Sequence, residues 1–271
     1  MFAGYGKSDI TPPKGEFCSF RLAPNKRSLG VHDSLSVHAF LLENTSGSLC
    51  LISVDAVAVP IAVALLIKEA IAEETGLSEQ QILVAATHTH NGAELLGEEP
   101  FIDSSLQVDR VRTACIEAVG RAEAEKFSCR IGWEHVNIPG LAKNRFQHRI
   151  NGDVDRVDDQ LDFLKVEDSE GAYRGIIWHF AAHPTTCMKA GYMSSADYYG
   201  AANRLVTERF GGFSVFFNGA CGNINPELGL RSFDRSEFCG RQIADLLQAA
   251  IPRAITVDRG TLASALTLCD I

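Results

Sequence analysis

The chain has 271 residues, of which 46% are hydrophobic and 22% are charged. This composition is that of a globular protein with a large buried core, and the default organisation at this length is one domain over residues 1–271. The 34 acidic and 25 basic residues give a formal net charge of −9. This balance excludes the basic surface of a nucleic-acid-binding protein and the large charge excess of a disordered chain.

The sequence also argues against membrane insertion and export. The longest apolar run covers residues 57–67, whereas a membrane-spanning helix needs about 20 residues. We therefore expect no transmembrane segment. The first residues lack a basic region followed by an apolar run, which is the pattern of a secretory signal. The lack of this pattern favours a cytoplasmic location.

Eight cysteines are spread along the chain without a CxxC pair, and several of them lie inside apolar runs. A chain of this size needs no covalent staples to fold. We predict that most of these cysteines are buried thiols, and not disulfides or ligands of a cysteine metal cluster.

Hydrophobic periodicity predicts strands and helices that alternate along the chain. Two strands pair around a turn at residues 44–47, and a helix follows that ends at Gly76. The further predicted strands are 81–87, 129–138, 160–168, 173–182 and 213–219, and the further helices are 103–123, 197–209 and 234–250. This order indicates the α/β class, with a mixed, largely parallel β-sheet core flanked by helices. Four polar segments, VDAVAV, ATHTHNG, AAHPTT and NGACGNINPE, each follow a predicted strand, at the carboxyl end where such sheets build ligand sites.

The HxH motif of His88 and His90 lies on a segment expected to be extended. A period of two places both imidazoles on one face, about 6.5–7 Å apart along the backbone. One metal ion could be bound by both. Alternatively, the first histidine binds the metal while the second is an acid, a base or an oxyanion partner, or both are solvated loop residues.

His183 also follows a strand, and the proline after it disfavours a helical backbone at His183. A hydrogen-bonded structural histidine would show the same pattern. Imidazoles from two separate strands, with a third ligand such as a carboxylate, are a usual way to assemble a catalytic Zn²⁺ site.

Other candidates surround these histidines in the sequence. The loop at residues 218–227 is rich in small residues and asparagines, so its backbone N–H groups could bind an anion or a carbonyl oxygen, although a plain turn would look similar. Arg145 could bind a carboxylate or a developing oxyanion, or be solvated. Asp55 is a further candidate, whereas Asp197 is explained as a helix N-cap.

Seven segments occur in a fixed order: GYGKSDITPPKG, the HD of VHDSLSVHAFLLE, ATHTHNG, the KNR of AKNRF, WHFAAHPTT, SADYYG and NGACGNINPE. This series, from about residue 1 to residue 250, resembles the catalytic domain of the neutral, non-lysosomal ceramidases. The ordered set is far more specific than any single motif in it.

The resemblance implies a zinc-dependent hydrolase that cleaves an amide or related acyl bond of a small-molecule or lipid-like N-acyl substrate. By position in the family's motifs, His88 and His183 correspond to zinc ligands. His90 corresponds to a histidine beside the metal that helps to stabilise the substrate oxygen, and Arg145 to an arginine of the site. The implied cofactor is Zn²⁺.

Two departures from the family pattern bear on activity. Ceramidases have a serine, at the centre of amide hydrolysis, where this chain has Asn225. We keep Asn225 as a candidate catalytic residue and expect weak or no turnover of ceramide itself. The family's other zinc ligands, a glutamate and a tyrosine, and its immunoglobulin-like domain come from further downstream. We therefore expect a short ceramidase-like catalytic domain without that C-terminal segment, in which His90 or Asp55 completes the metal site.

Two other functions stay open. A non-catalytic domain could keep the fold and bind a small ligand or a partner chain, which Asn225 and the absent downstream ligands favour. Metal-dependent phosphoester hydrolysis is a second enzymatic alternative. Two-metal sites of that kind need several Asp and His ligands, and the sequence offers few acidic candidates.

Overall fold

The computed structural model describes residues 1–19, 27–97, 103–146, 157–226, 229–265 and 267. The strands are β1 (Phe2–Asp9), β2 (Gly30–Val31), β3 (Ser36–Asn44), β4 (Gly47–Val54), β5 (Ile82–Ala86), β6 (Phe127–Asn137), β7 (Ala142–Asn144), β8 (Gln160–Asp168), β9 (Tyr173–Phe180), β10 (Met193–Ser194), β11 (Phe213–Asn218) and β12 (Ile224–Pro226). The α-helices are α1 (Ile61–Thr75), α2 (Ser105–Ala124), α3 (Asp197–Phe210) and α4 (Phe233–Ala250).

Eight of these strands form one mixed sheet in the order β11-β9-β8-β6-β1-β3-β4-β5. Within it β11 pairs with β9, and β4 with β5, in parallel, whereas the other neighbours are antiparallel. The predicted α/β class is confirmed, but the expectation of a largely parallel sheet is wrong. Strands β1 and β6 enter the middle of the sheet as antiparallel neighbours, and such non-local pairing cannot be read from the alternation of elements along the chain.

The sheet folds over so that its two halves face each other. Phe40 of β3 packs with Ile177 of β9 and Val215 of β11 in one apolar cluster. The Ser53 hydroxyl on β4 donates to the Phe216 carbonyl on β11 over 2.7 Å. Helices α1 and α2 pack on the β1-β3-β4-β5 half, and α3 and α4 pack on the other half. This folding brings β5 close to β11 and, beside it, β9.

Strand β1 is an element that the sequence analysis missed. Gly4 and Gly6 reduce the strand propensity of this segment, and hydrophobic periodicity therefore did not predict a strand there. In the structure α2 lies directly against these glycines. A Cβ added at Gly4 would lie 2.0 Å from the Ala122 carbonyl oxygen, and one added at Gly6 would lie 1.9 Å from the Ala118 carbonyl oxygen. The glycines are therefore needed for the close approach of the helix.

The other predicted elements are confirmed, with small shifts at their ends. Strands β3 and β4 form the expected hairpin, and α1 ends at Gly76, whose φ of 73° gives the left-handed cap that glycine favours. The seven cysteines within the described ranges are all buried free thiols, while Cys269 lies outside those ranges. Among the helices described, none has both the length and the apolar character needed to cross a membrane.

The contact between β1 and α2 can be tested by Gly6→Ala. We expect this change to lower the free energy of unfolding by about 2 kcal/mol or more, because the new methyl group overlaps a backbone carbonyl. Gly120→Ala on α2 is the matched control, since nothing lies within 4 Å of its added Cβ. It should stabilise the protein by about 0.5–1 kcal/mol, because alanine favours a helix. Urea unfolding measures both changes. Unchanged stability of Gly6→Ala would contradict the packing described.

Candidate metal centre

The three histidines singled out from the sequence lie together in the structure. His88 and His90 follow β5, and His183 follows β9. These strands are far apart in the order of the sheet, but its folding brings them together. The ligating nitrogens of the three side chains all lie within 4.8 Å of one another.

The closest approach is between His88 and His183, whose Nε2 atoms are 3.1 Å apart. Their ring centroids are separated by 4.7 Å at an interplanar angle of 65°. The ring of His90 lies beside both, with centroids 5.0 Å from His88 and 5.6 Å from His183. Both ring nitrogens of His90 are buried.

Backbone carbonyls fix the tautomers of this pair. His88 Nδ1 lies 2.5 Å from the Val57 carbonyl oxygen, and His183 Nδ1 lies 2.6 Å from the Cys221 carbonyl oxygen. A carbonyl oxygen can only accept, so each Nδ1 carries a hydrogen and donates it. In the neutral imidazoles each Nε2 therefore keeps its lone pair, and the two lone pairs face each other.

This geometry fits a zinc ion. Two facing lone pairs at 3.1 Å repel each other unless a proton or a cation lies between them. Tetrahedral Zn²⁺ with Zn–N bonds of about 2.0–2.1 Å places two nitrogen ligands about 3.3 Å apart. Donation from Nδ1 to a carbonyl is the usual arrangement that orients a ligating histidine.

The electrostatics around His183 also favour a neutral ligand. Burial lowers the pKa of His183 and outweighs the hydrogen bond with the Cys221 carbonyl, which raises it, and the positive charge of Arg145 lowers it further. The neutral imidazole, which is the form that binds metal, is therefore favoured over the imidazolium.

The backbone at His88 differs from the sequence-based expectation. His88 has a φ of 70°, which lies in the left-handed region that a non-glycine residue rarely adopts. The expectation of an extended HxH segment is therefore wrong at His88, although the two rings still lie close together, with centroids 5.0 Å apart. Backbone strain of this kind persists where surrounding contacts hold it, and it is concentrated at functional sites.

Arg145 and the described part of the loop, residues 218–226, approach the same centre. Strand β7 pairs with β12, and the backbone N–H of Arg145 donates to the Asn223 carbonyl over 2.9 Å. The backbone N–H of His183 donates to the Ile224 carbonyl, also over 2.9 Å. The loop therefore contributes carbonyl acceptors to these contacts, where we expected N–H donors. Asn225 is buried and its side-chain oxygen has no hydrogen-bond partner within the described part of the chain, while Glu227 lies outside that part.

Asp55 is placed differently from the other predicted ligands. It directly follows β4 as expected, but its carboxylate does not join the histidine group. One carboxylate oxygen accepts from the Ser36 N–H at 2.8 Å, and the other accepts from the Tyr199 hydroxyl at 2.8 Å. Burial raises the pKa of Asp55 to about 6. Its position next to the site is thus clear, whereas its role as a ligand stays a prediction.

Asp197 is not the simple N-cap that the sequence suggested. It is the first residue of α3 and has a φ of 61°. Its carboxylate accepts from the Thr186 N–H at 3.2 Å, from the Thr186 hydroxyl and from the Cys187 N–H at 3.0 Å. Burial raises the pKa of Asp197, and these hydrogen bonds oppose that rise. Asp197 therefore ties the loop that follows His183 to the start of α3.

Two further polar residues hold the loops and were not singled out from the sequence. The Asn91 amide donates to the Cys187 carbonyl at 3.1 Å and to the Met193 carbonyl at 3.2 Å. Asp33 accepts from the backbone N–H of Ala196 at 2.7 Å. The available signal was their place inside the HTHN and VHD segments of the ordered motif series.

Comparison with known proteins identifies the family. Residues 2–220 match the family described as neutral/alkaline non-lysosomal ceramidase, N-terminal. The chain belongs to this ceramidase family. His88, His90 and His183 all lie within the matched residues.

Individual relatives agree with this assignment. The chain is 25% identical to a neutral ceramidase of Pseudomonas aeruginosa, over 91% of this chain and 41% of that protein. It is 22% identical to a neutral ceramidase of Oryza sativa subsp. japonica, over 97% of this chain and 35% of that protein. The chain thus spans less than half the length of these curated relatives.

A solved structure shares the fold. The crystal structure of neutral ceramidase from Pseudomonas aeruginosa superimposes with a TM-score of 0.79 at 21% identity, covering 93% of this chain and 45% of that one. A structure of a ceramidase complexed with C2 gives a TM-score of 0.80, also at 21% identity, covering 93% of this chain and 44% of the other. The mixed α/β architecture described above is therefore that of a known ceramidase structure.

The role of Asp197 predicts that Asp197→Asn is strongly destabilising. The amide would turn an N–H group toward backbone N–H donors that the carboxylate now satisfies, which should cost about 1–3 kcal/mol of unfolding free energy. Asp234→Asn is the control, because Asp234 is exposed in the first turn of α4 and its loss should cost less than about 1 kcal/mol. Denaturant unfolding of both variants tests this. Equal losses would contradict the account of the Asp197 network.

Proposed function

We propose that this protein is a zinc-dependent hydrolase that cleaves an amide or related acyl bond. The observation that carries the proposal is the pair of His88 and His183 Nε2 atoms, which face each other at 3.1 Å with their Nδ1 atoms bound to carbonyls. Membership of the ceramidase family and the activity named for its relatives support the reaction class.

Three histidines and one arginine of the chain would each have a role in this reaction. His88 and His183 hold the metal, and His90, within 4.8 Å of both, is the nearest candidate for a third ligand. When bound, zinc supplies Lewis-acid chemistry, since it acidifies water to a pKa of about 7 and polarises a carbonyl oxygen. Arg145, whose backbone N–H donates to the Asn223 carbonyl, would orient a polar or anionic group of the substrate.

The identity of the third ligand would determine how fast the site hydrolyses its substrate. A catalytic zinc site normally has three protein ligands and one open position. If His90 is recruited to the metal, it loses the free nitrogen that proton transfer requires. The 271-residue chain would then bind metal but hydrolyse its substrate slowly.

The substrate class follows from the family and from Asn225. The relatives are named neutral ceramidases, and ceramide is an N-acyl lipid, so the proposed substrate is a small-molecule or lipid-like N-acyl compound. Asn225 occupies the position at which the family resemblance expects serine. An amide side chain cannot replace the hydroxyl, and we therefore propose weak turnover of ceramide itself.

The alternative functions make different predictions. A non-catalytic binding domain would retain the fold without hydrolysing any N-acyl compound. A phosphoesterase with two metal ions needs a larger set of ligands, whereas the part of the chain described here contains one group of three metal-ligating side chains. A panel of N-acyl amines of short and long chain, with a generic phosphodiester added, separates the three functions.

Metal analysis of protein purified without chelator tests the centre. We expect about one zinc ion per chain, and loss of most of it in His88→Ala and His183→Ala. If His90 is recruited as a ligand, His90→Ala should weaken zinc binding as much as His183→Ala does. His135→Ala is the control, because His135 is exposed on β6 and lies outside the histidine group.

Two results would contradict these expectations. Parent protein without zinc, or zinc content unaffected by His88→Ala and His183→Ala, would reject the metal centre. Zinc affinity of His90→Ala equal to that of the parent, with metal lost from the other two variants, would return His90 to a role beside the metal.

Asn225→Ser tests the assignment of substrate class. Restoring the residue that the family pattern expects should raise ceramide hydrolysis by at least about tenfold, roughly 1.4 kcal/mol of barrier height. Asn223→Ser is the matched control, because Asn223 is exposed in the same loop and its hydrogen bond with Arg145 uses its backbone carbonyl, which serine retains. Robust ceramide turnover by the parent, or no gain in Asn225→Ser, would show that Asn225 does not limit this activity.

A further inference from the structure

A short stretch of backbone after β4 supplies several contacts that hold His88. The Val54 carbonyl accepts from the Thr87 N–H, and the Ala56 carbonyl accepts from the His88 N–H, both at 2.9 Å. The Val57 carbonyl accepts from His88 Nδ1 at 2.5 Å. The orientation of the His88 ring and its left-handed backbone therefore depend on where the stretch 54–57 lies.

Asp55 is the residue that fixes this stretch from outside. Its carboxylate accepts from the Ser36 N–H of β3 at 2.8 Å and from the Tyr199 hydroxyl of α3 at 2.8 Å. Its own backbone N–H donates to the Ser36 carbonyl at 3.1 Å, and its carbonyl accepts from the Ala93 N–H at 3.1 Å. Asp55 is 3% exposed, so these contacts are shielded from competition with water.

The Tyr199 hydroxyl is hydrogen-bonded to both Asp55 and Thr87. The hydroxyl oxygen lies 2.8 Å from Asp55 Oδ1 and 2.7 Å from Thr87 Oγ1. An ionised carboxylate only accepts, so Tyr199 donates to Asp55, and the Thr87 hydroxyl is able to donate to the Tyr199 oxygen. Tyr199 thus links the residue before His88 to the stretch that carries the Val57 carbonyl.

We propose that Asp55 is a positioning residue for the metal centre and not a metal ligand. Together with Tyr199 it holds the Val57 carbonyl where that carbonyl fixes the tautomer and ring orientation of His88. This inference rests on the proposed function, because it assigns Asp55 a task toward the metal. Partners that orient a ligating histidine typically contribute 10–100-fold to metal affinity.

The experiment compares Asp55→Asn and Tyr199→Phe with the parent protein. Zinc affinity is measured by competition with a chromogenic chelator, in the absence of any substrate. We expect both variants to bind zinc about 10–100-fold more weakly than the parent. In the metal-free proteins, ¹⁵N NMR of the imidazoles should show His88 protonated at Nδ1 in the parent and a mixture of tautomers in both variants.

Two controls separate positioning from loss of stability. Tyr173→Phe removes a buried hydroxyl that has no hydrogen-bond partner among the described residues, and it should leave zinc affinity unchanged. Ser53→Ala removes the hydrogen bond from β4 to the Phe216 carbonyl. It should lower the free energy of unfolding by about 1 kcal/mol without changing the zinc affinity of the folded protein.

Two outcomes would overturn the proposal, and a third would overturn the proposed function on which it rests. Unchanged zinc affinity and an unchanged His88 tautomer in both variants would leave Asp55 and Tyr199 with a structural role alone. Loss of zinc in Asp55→Asn, with normal affinity in Tyr199→Phe, would make Asp55 a ligand. A parent that binds no zinc would reject the proposed function. In that case the NMR comparison alone decides the positioning role, and an unchanged His88 tautomer overturns it.

Discussion

The centre depends on two hydrogen bonds from imidazole Nδ1 atoms to backbone carbonyls. One joins His88 to Val57, and the other joins His183 to Cys221. Each bond selects one tautomer, and together they direct two lone pairs at the same point in space. Without them each ring could present either nitrogen, and a cation would have to order both rings on binding. The candidate metal centre is therefore oriented by backbone groups, and both carbonyls belong to loops that follow strands.

The folding of the sheet brings these loops together. The sheet turns back on itself, so that the segment after β5 reaches the segment after β9 although five strands separate them in the sheet order. Helix α2 packs closely on β1 because Gly4 and Gly6 have no side chains there. Asp197 then ties the loop after His183 to α3. Packing far from the histidines and polar contacts close to them thus both help to hold the histidine loops together.

Much of the fold and of the candidate site could be predicted from the sequence. The features that could not be predicted depend on contacts between residues distant in the chain. The hairpin, the four helices and the positions of His88 and His183 after strands follow from local periodicity, which a single sequence carries. Strand β1 was hidden because its glycines serve a helix more than 100 residues away in the chain. The positive φ of His88 leaves no signal in the local sequence. The two HxH rings do lie close together, but the extended backbone from which this proximity was predicted is not present at His88. Asp55 was correctly placed after its strand, but its contacts with Ser36 and Tyr199 exist only once the layers have packed.

The most direct test of the account is a crystal structure of the protein grown with zinc, with diffraction recorded on both sides of the zinc absorption edge. We predict one strong anomalous peak within bonding distance of Nε2 of His88 and Nε2 of His183, with both Nδ1 atoms still donating to the Val57 and Cys221 carbonyls. An anomalous peak at other residues, coordination through Nδ1, or no peak between these two nitrogens would contradict it.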